Sequence, residues 1–284
     1  MRPSPVLPGV VAVVAVAGTG MGAVVLTSFG LMPLVGEPSA SLDGWRAAAP
    51  ELGVAARESL LVALPATALA LLAGLLLAGV VLTPGRGARV VRTLVVVVLA
   101  VPHLAGAVSV GLLLGDGGLG ARVLAPDGGW PALVGGPLPV ATWLELAWKE
   151  SAFVALVVVA SVGPGHRGRS EVAASLGAGP LRRWTRVLVP SALPAAGASG
   201  LVVLVYGIGT YEVAWLLGRS YPEPLPVLAF RLFGSIDLGD RPAAAAAAAT
   251  GSALALGLAL CVLVAVPAAA RALGPALAGQ EVRR

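Results

Sequence analysis

Charged residues inside otherwise hydrophobic stretches are the first place to look for chemistry in a chain this apolar. Glu145, Lys149 and Glu150 fall in one such stretch, and Glu212 in another, beside Tyr206, Thr210 and Tyr211. Ionisable groups at membrane depth are costly, and they mark pathways or internal pairs. Glu145 precedes Lys149 by one helical turn, so the two read either as an ion pair facing other helices or as groups lining a pathway. Glu150 is a further pathway candidate. Glu212, with Tyr206 and Tyr211, reads as a pathway residue or as a buried, hydrogen-bonded carboxylate. His103 follows Pro102 and predicts a kinked helix with a satisfied imidazole.

Catalysis is not expected. The chain has a single lysine, Lys149, outside any Gly-x-x-x-x-Gly-Lys context, so a P-loop cannot form. His103 and His166 cannot make His-Glu-x-x-His, and no Gly-x-Ser-x-Gly elbow has plausible partners. Gly115-Asp-Gly-Gly-Leu-Gly120 follows a hydrophobic run, where a dinucleotide fingerprint has no βαβ unit to serve. Cys261 stands alone, which excludes a disulfide or cysteine metal framework. We therefore expect no metal and no cofactor bound by this chain.

The elements that must position these groups follow from composition. Of 284 residues, 57% are hydrophobic and 12% charged, and the mean hydropathy is +0.92. Soluble domains carry about 25% charged residues, and a spanning helix needs about 20 mostly apolar ones. Six stretches qualify, at about 7–35, 59–82, 93–114, 141–162, 195–217 and 243–270. Backbone groups in lipid must be satisfied internally, and the runs do not alternate as barrel strands do, so all six are expected to be helices. The fold class is all-α integral membrane, with residues 1–284 as one transmembrane domain. The first run exceeds the 7–15 residues of a signal-peptide core and reads as an anchor. The Gly- and Pro-rich pieces at 36–58, 115–140 and 218–242 read as ordered turns or short re-entrant segments.

Orientation follows from arginine placement. With the N-terminus inside, the inner segments hold Arg2; Arg86, Arg89 and Arg92; Arg167, Arg169, Arg182, Arg183 and Arg186; and Arg271, Arg283 and Arg284. That is twelve of the nineteen positive residues, whereas the outer segments mix arginine with acidic residues. Both termini are therefore expected in the cytoplasm. The isoelectric point near 10.3 reflects arginines dispersed beside membrane ends, so nucleic acid is not an expected partner.

One polar loop stands out, at 163–194. Gly163-Pro-Gly-His-Arg-Gly-Arg-Ser170 is expected to break the incoming helix, with Ser170 as N-cap and Glu171 in the first turn of a short one. Gly177 and Gly179 interrupt that helix. Pro180 suits the start of a second, over 181–188, which Pro190 ends. The expectation is a compact helix–turn–helix under the membrane, with Leu181, Trp184 and Leu188 on one stripe. Arginines in such a loop also suit anionic membrane lipid.

The loop's pattern, Glu171-x-Ala173-x-x-x-Gly177-Ala178 with Pro190 thirteen residues after Gly177, resembles the EAA loop of binding-protein-dependent ABC importer permeases. Val172 departs from the usual alanine, and Gly163-Pro-Gly departs from the usual Ile-Pro approach. Further similarity runs through Glu58-Ser-Leu, Trp148-Lys-Glu-Ser-Ala-Phe153 and Gly209-Thr-Tyr-Glu-Val-Ala-Trp-Leu-Leu-Gly218. The last is similar to permeases for polyamines, ferric iron or thiamine. The resemblance implies a six-helix type I permease fold in the bacterial inner membrane, with Glu171, Ala173, Gly177, Ala178, Arg182, Arg183 and Pro190 forming an ATPase-docking loop. It also implies a second permease subunit, two cytoplasmic ATPases that bind the ATP, and an external solute-binding protein. The rival reading is a secondary transporter driven by an ion gradient, which would use intramembrane carboxylates and broken helices.

Overall fold

The computed structural model describes residues 6–281, with side chains as far as Val264 apart from Pro164. Arg2, Arg283 and Arg284 lie outside the described residues, as does the side chain of Arg271. Among the described residues the regular structure is entirely helical: α1 Leu7–Ser28, α2 Asp43–Leu82, α3 Arg86–Ala100, α4 His103–Leu114, α5 Leu119–Leu124, α6 Val140–Ser175, α7 Pro180–Arg183, α8 Val189–Gly209, α9 Glu212–Leu217, α10 Leu225–Phe233 and α11 Arg241–Glu281. Six segments are long and apolar enough to cross a membrane: Leu7–Ser28, Asp43–Leu82, His103–Leu124, Val140–Gly163, Pro180–Gly209 and Leu238–Val264.

Their number matches the sequence expectation, and several boundaries do not. α2 begins at Asp43, well before 59, because the polar turn Glu51–Glu58 is carried by the packing of its neighbours. The expected span 93–114 is two helices, separated at Val101–Pro102. Proline removes its own backbone N–H and disfavours helical geometry in the residue before it, and Val101 is extended (ψ 126°). The expected helix 195–217 likewise divides, at Thr210 and Tyr211, and the segment 218–242 contains a true helix, α10.

The chain forms two compact units, Met1–Ser59 with Pro222–Leu254 and Leu60–Tyr221 with Ala255–Arg284. In the first, Ala55, Leu225, Leu228 and Ala247 form one buried cluster. The Ser59 hydroxyl accepts the Leu225 N–H at 2.9 Å, and Arg231 reaches Glu223 and Glu51, each at 2.6 Å. Paired carboxylates hold the Arg231 guanidinium protonated more firmly than usual.

The second unit is built on α2, α6 and α8, whose small residues let the backbones approach. Ala70, Ala78, Ala152, Val154, Ala155, Val158, Leu188, Ala192 and Ala196 are buried together there. The closest approach is at Gly74, where a Cβ would stand 2.6 Å from Val154 Cβ and 3.0 Å from the Ser151 carbonyl oxygen. Gly74→Ala must push α2 away from α6. Overpacking of this kind costs about 1–3 kcal/mol, so the purified protein should unfold at a lower temperature in detergent. An unchanged melting curve would show that this crossing yields freely.

Candidate functional site

The turn at 176–180 is a Schellman cap. α6 ends at Ser175 with Leu176 as its C-cap, the Gly177 N–H donates to the Ala174 carbonyl at 2.9 Å, and the Ala178 N–H donates to the Ala173 carbonyl at 3.0 Å. These bonds satisfy carbonyls that a helix end leaves open. They require a left-handed residue between them, and Gly177 supplies it with φ +81°. Gly177 does interrupt the helix, as its position in the sequence predicts. Ala173 and Ala178 thus act through their backbones, and any side chain small enough to fit can stand there.

The arms of the turn differ from expectation. α6 runs unbroken through Gly163-Pro-Gly and Ser170, so Ser170 is not an N-cap and Glu171 sits near the end of a long helix. Proline and glycine are tolerated in membrane helices because neighbours re-satisfy the freed backbone groups. Glu171 pairs with Arg167 at 2.9 Å on an exposed face. On the other arm Pro180 does open α7, but Pro190 does not end it. Trp184–Leu188 form a π-helical turn, and α8 follows directly. The widened turn accommodates Pro190, whose ring clashes with an ordinary helical carbonyl and which lacks a donor. Trp184 and Leu188 face inward, with the Trp184 indole N–H donating to the Leu75 carbonyl at 3.3 Å. Leu181 faces away: with Val172 and Leu176 it makes an apolar tip, the three being 75%, 62% and 82% exposed. Arg182 is exposed there too, while Arg183 turns inward and reaches the Ser170 hydroxyl at 3.4 Å.

The intramembrane charges gather elsewhere, around the break between α3 and α4. A cavity of about 450 Å³ is lined there by His103, Lys149, Glu150, Phe153, Val202 and Tyr206, among others. Lys149 does not pair with Glu145. Its ammonium donates to the Val98 carbonyl at 2.8 Å and to the Val101 carbonyl. Pro102 is the reason: the N–H that would have bonded Val98 is missing, and a cation suits the negative end of α3. Glu145 is fully buried and lies instead against His103, whose Nδ1 is 3.4 Å from Glu145 Oε1 and whose Nε2 is 3.2 Å from Glu150 Oε1. Gly106 leaves room for this carboxylate, since a Cβ there would come within 2.7 Å of Glu145 Oε1. The Tyr206 ring covers the imidazole at 4.7 Å.

The structure therefore brings together three of the five residues read as pathway candidates, Lys149, Glu150 and Tyr206. Glu212 opens α9 and Tyr211 stacks on Trp215 at 6.2 Å; neither lines the cavity. His103, expected at a kink with a satisfied imidazole, stands at the centre of the cluster between Glu145 and Glu150. Its position directly after a proline in an apolar run was the available signal.

No protein-family model matches the chain. By structure, it is similar to the crystal structure of a bacterial ABC transporter involved in the import of the acidic polysaccharide alginate. The TM-score is 0.67 over 90% of this chain and 91% of that one, at 19% identity. The fold is that of a type I ABC importer permease. By sequence, the chain is 30% identical over 216 residues to the inner membrane ABC transporter permease protein YnjC of Escherichia coli (strain K12). The match takes in 73% of this chain and 41% of that protein, so the chain spans about two fifths of its relative's length. Fold and sequence similarity together support the binding-protein-dependent ABC permease family.

Proposed function

We propose that this protein is the membrane-spanning permease subunit of an ABC import system, forming half of a solute pathway and coupling to a separate cytoplasmic ATPase. The observation that carries this reading is the capped tip. Gly177 holds a left-handed turn at the position its motif assigns, and Val172, Leu176 and Leu181 stand exposed around it. Three large apolar side chains at the apex of a charged hairpin suit a partner protein better than water. Their arrangement fits an ATPase surface groove, with Arg182 and Glu171 at its rim. ATP is bound by that partner, so the chain is a transport subunit without an ATPase site of its own.

The arginine distribution supports an orientation with this tip and both termini in the cytoplasm of a bacterial inner membrane. A second permease subunit would complete the pathway, and a solute-binding protein would deliver the solute from outside. The cavity at His103, Glu150 and Tyr206 is the part of the pathway contributed by this chain.

Purification from native membranes tests the assignment. An ABC ATPase should be retained with the permease, and uptake into vesicles should require ATP inside the ATPase compartment. Uptake that survives without ATP and collapses with an ionophore would make the protein a secondary transporter, with His103, Glu145 and Glu150 as its ion site.

A further inference from the structure

Below the tip, α2, α6 and α7 enclose a second cavity of about 530 Å³. Its polar wall comes from α6 and α7. His166 and Ser170 stand one turn apart on α6, and Arg183 reaches across to Ser170. His166 is only 9% exposed, and its Nδ1 has no hydrogen-bond partner; the buried Nε of Arg183 has none either. Buried polar groups are nearly always satisfied, and His166 and Arg183 each line the cavity while carrying one that is not, which points to a ligand there. No acidic side chain is among the residues lining it. Burial, and after it the nearby Arg169 and Arg183 charges, hold the His166 imidazole below its ordinary value of 6.5. The α2 wall is of the opposite character. Leu76 and Val80 belong to an apolar span and are 51% and 44% exposed.

We propose that this cavity binds an anionic phospholipid, with the headgroup phosphate held by Arg183, His166 and Ser170 and an acyl chain laid along Leu76 and Val80. An arginine fork and a neutral imidazole N–H donate to phosphate oxygens, and the Ser170 hydroxyl supplies a third donor. The apolar wall selects a lipid over a free ion, because a soluble phosphate leaves that wall uncovered. The site would tie the root of the tip to the charge of the surrounding leaflet, and it stands whether or not the tip meets an ATPase.

The test uses the full-length chain, delipidated in detergent and titrated with phosphatidylglycerol or with phosphatidylcholine of the same acyl chains, with retained lipid counted by native mass spectrometry. One phosphatidylglycerol should be retained per chain, with about tenfold preference over phosphatidylcholine, whose choline cation neutralises the lipid and is repelled by Arg169 and Arg183. Arg183→Gln should abolish the preference and Arg183→Lys should keep part of it. Arg89→Gln removes an equal charge from an exposed site outside the cavity and should change nothing. Inorganic phosphate at the same concentration should fail to displace the lipid. Equal retention of both lipids, or full preference in Arg183→Gln, overturns the proposal. Displacement by inorganic phosphate overturns the lipid assignment in favour of a free anion.

Discussion

Gly177→Val is expected to insert with all six spans in place and to lose its ATPase. The backbone at 177 has φ +81°, and a Cβ there meets nothing within 4 Å, so the penalty is conformational and not a clash. Left-handed geometry costs an ordinary residue about 1–2 kcal/mol, and a β-branched one is a genuine outlier there. Relief comes by abandoning the cap, which frees the Ala173 and Ala174 carbonyls and redirects Leu176 and Leu181. Retention of the ATPase on the purified complex should fall by at least tenfold, with transport falling alongside it. Gly177→Asn, which tolerates this region, should keep most of both. Glu171→Ala removes only an exposed pair with Arg167, worth at most about 0.5 kcal/mol to folding. Any larger loss of coupling in that variant therefore reports contact with the partner. Wild-type retention in Gly177→Val would remove the turn from the coupling machinery.

Lys149→Met should be the most damaging single change within the membrane. It leaves the Val101 carbonyl without its donor, at about 1–3 kcal/mol, and leaves the Val98 carbonyl with the Val101 N–H alone. It also removes the positive charge at the end of α3. The purified protein should be markedly less heat-stable, and transport should fail. The cause can be isolated by restoring the missing donor. Pro102→Ala lets α3 run on past Val101 and close the carbonyls that Lys149 now serves with backbone N–H groups, so Lys149→Met should cost less in that background, as a double-mutant cycle would measure. Additive losses would show that Lys149 acts through something other than the α3 carbonyls.

How much of this was legible in the sequence depends on the range of the interaction. The six apolar runs were visible because lipid burial needs only local composition. Gly177 was visible because a turn between two helical patterns demands a residue free in φ. What misled was punctuation read as if for water. Gly163-Pro-Gly and Pro190 look like helix ends, yet α6 passes through the first and a π-turn absorbs the second. The cavity was half legible. Lys149, Glu150 and Tyr206 were conspicuous as polar groups in apolar surroundings. That Lys149 would serve a carbonyl 51 residues away, leaving Glu145 to His103, follows from packing that no local pattern records.

The two prolines that failed to stop their helices have a mechanical consequence. Pro164 and Pro190 lie equally far along the chain from Gly177, one on each arm of the hairpin. Each removes a hydrogen bond from an otherwise continuous helix. Beyond them, the same two helices carry Glu150 on one side and Tyr206 on the other into the wall of the cavity. A hairpin whose arms soften at matching distances from its apex swings like a paddle on a common axle. Sliding one arm past the other would break the cap at Gly177. Force from an ATPase at the apex, where we propose it docks, would then reach both walls as a tilt of the same sense.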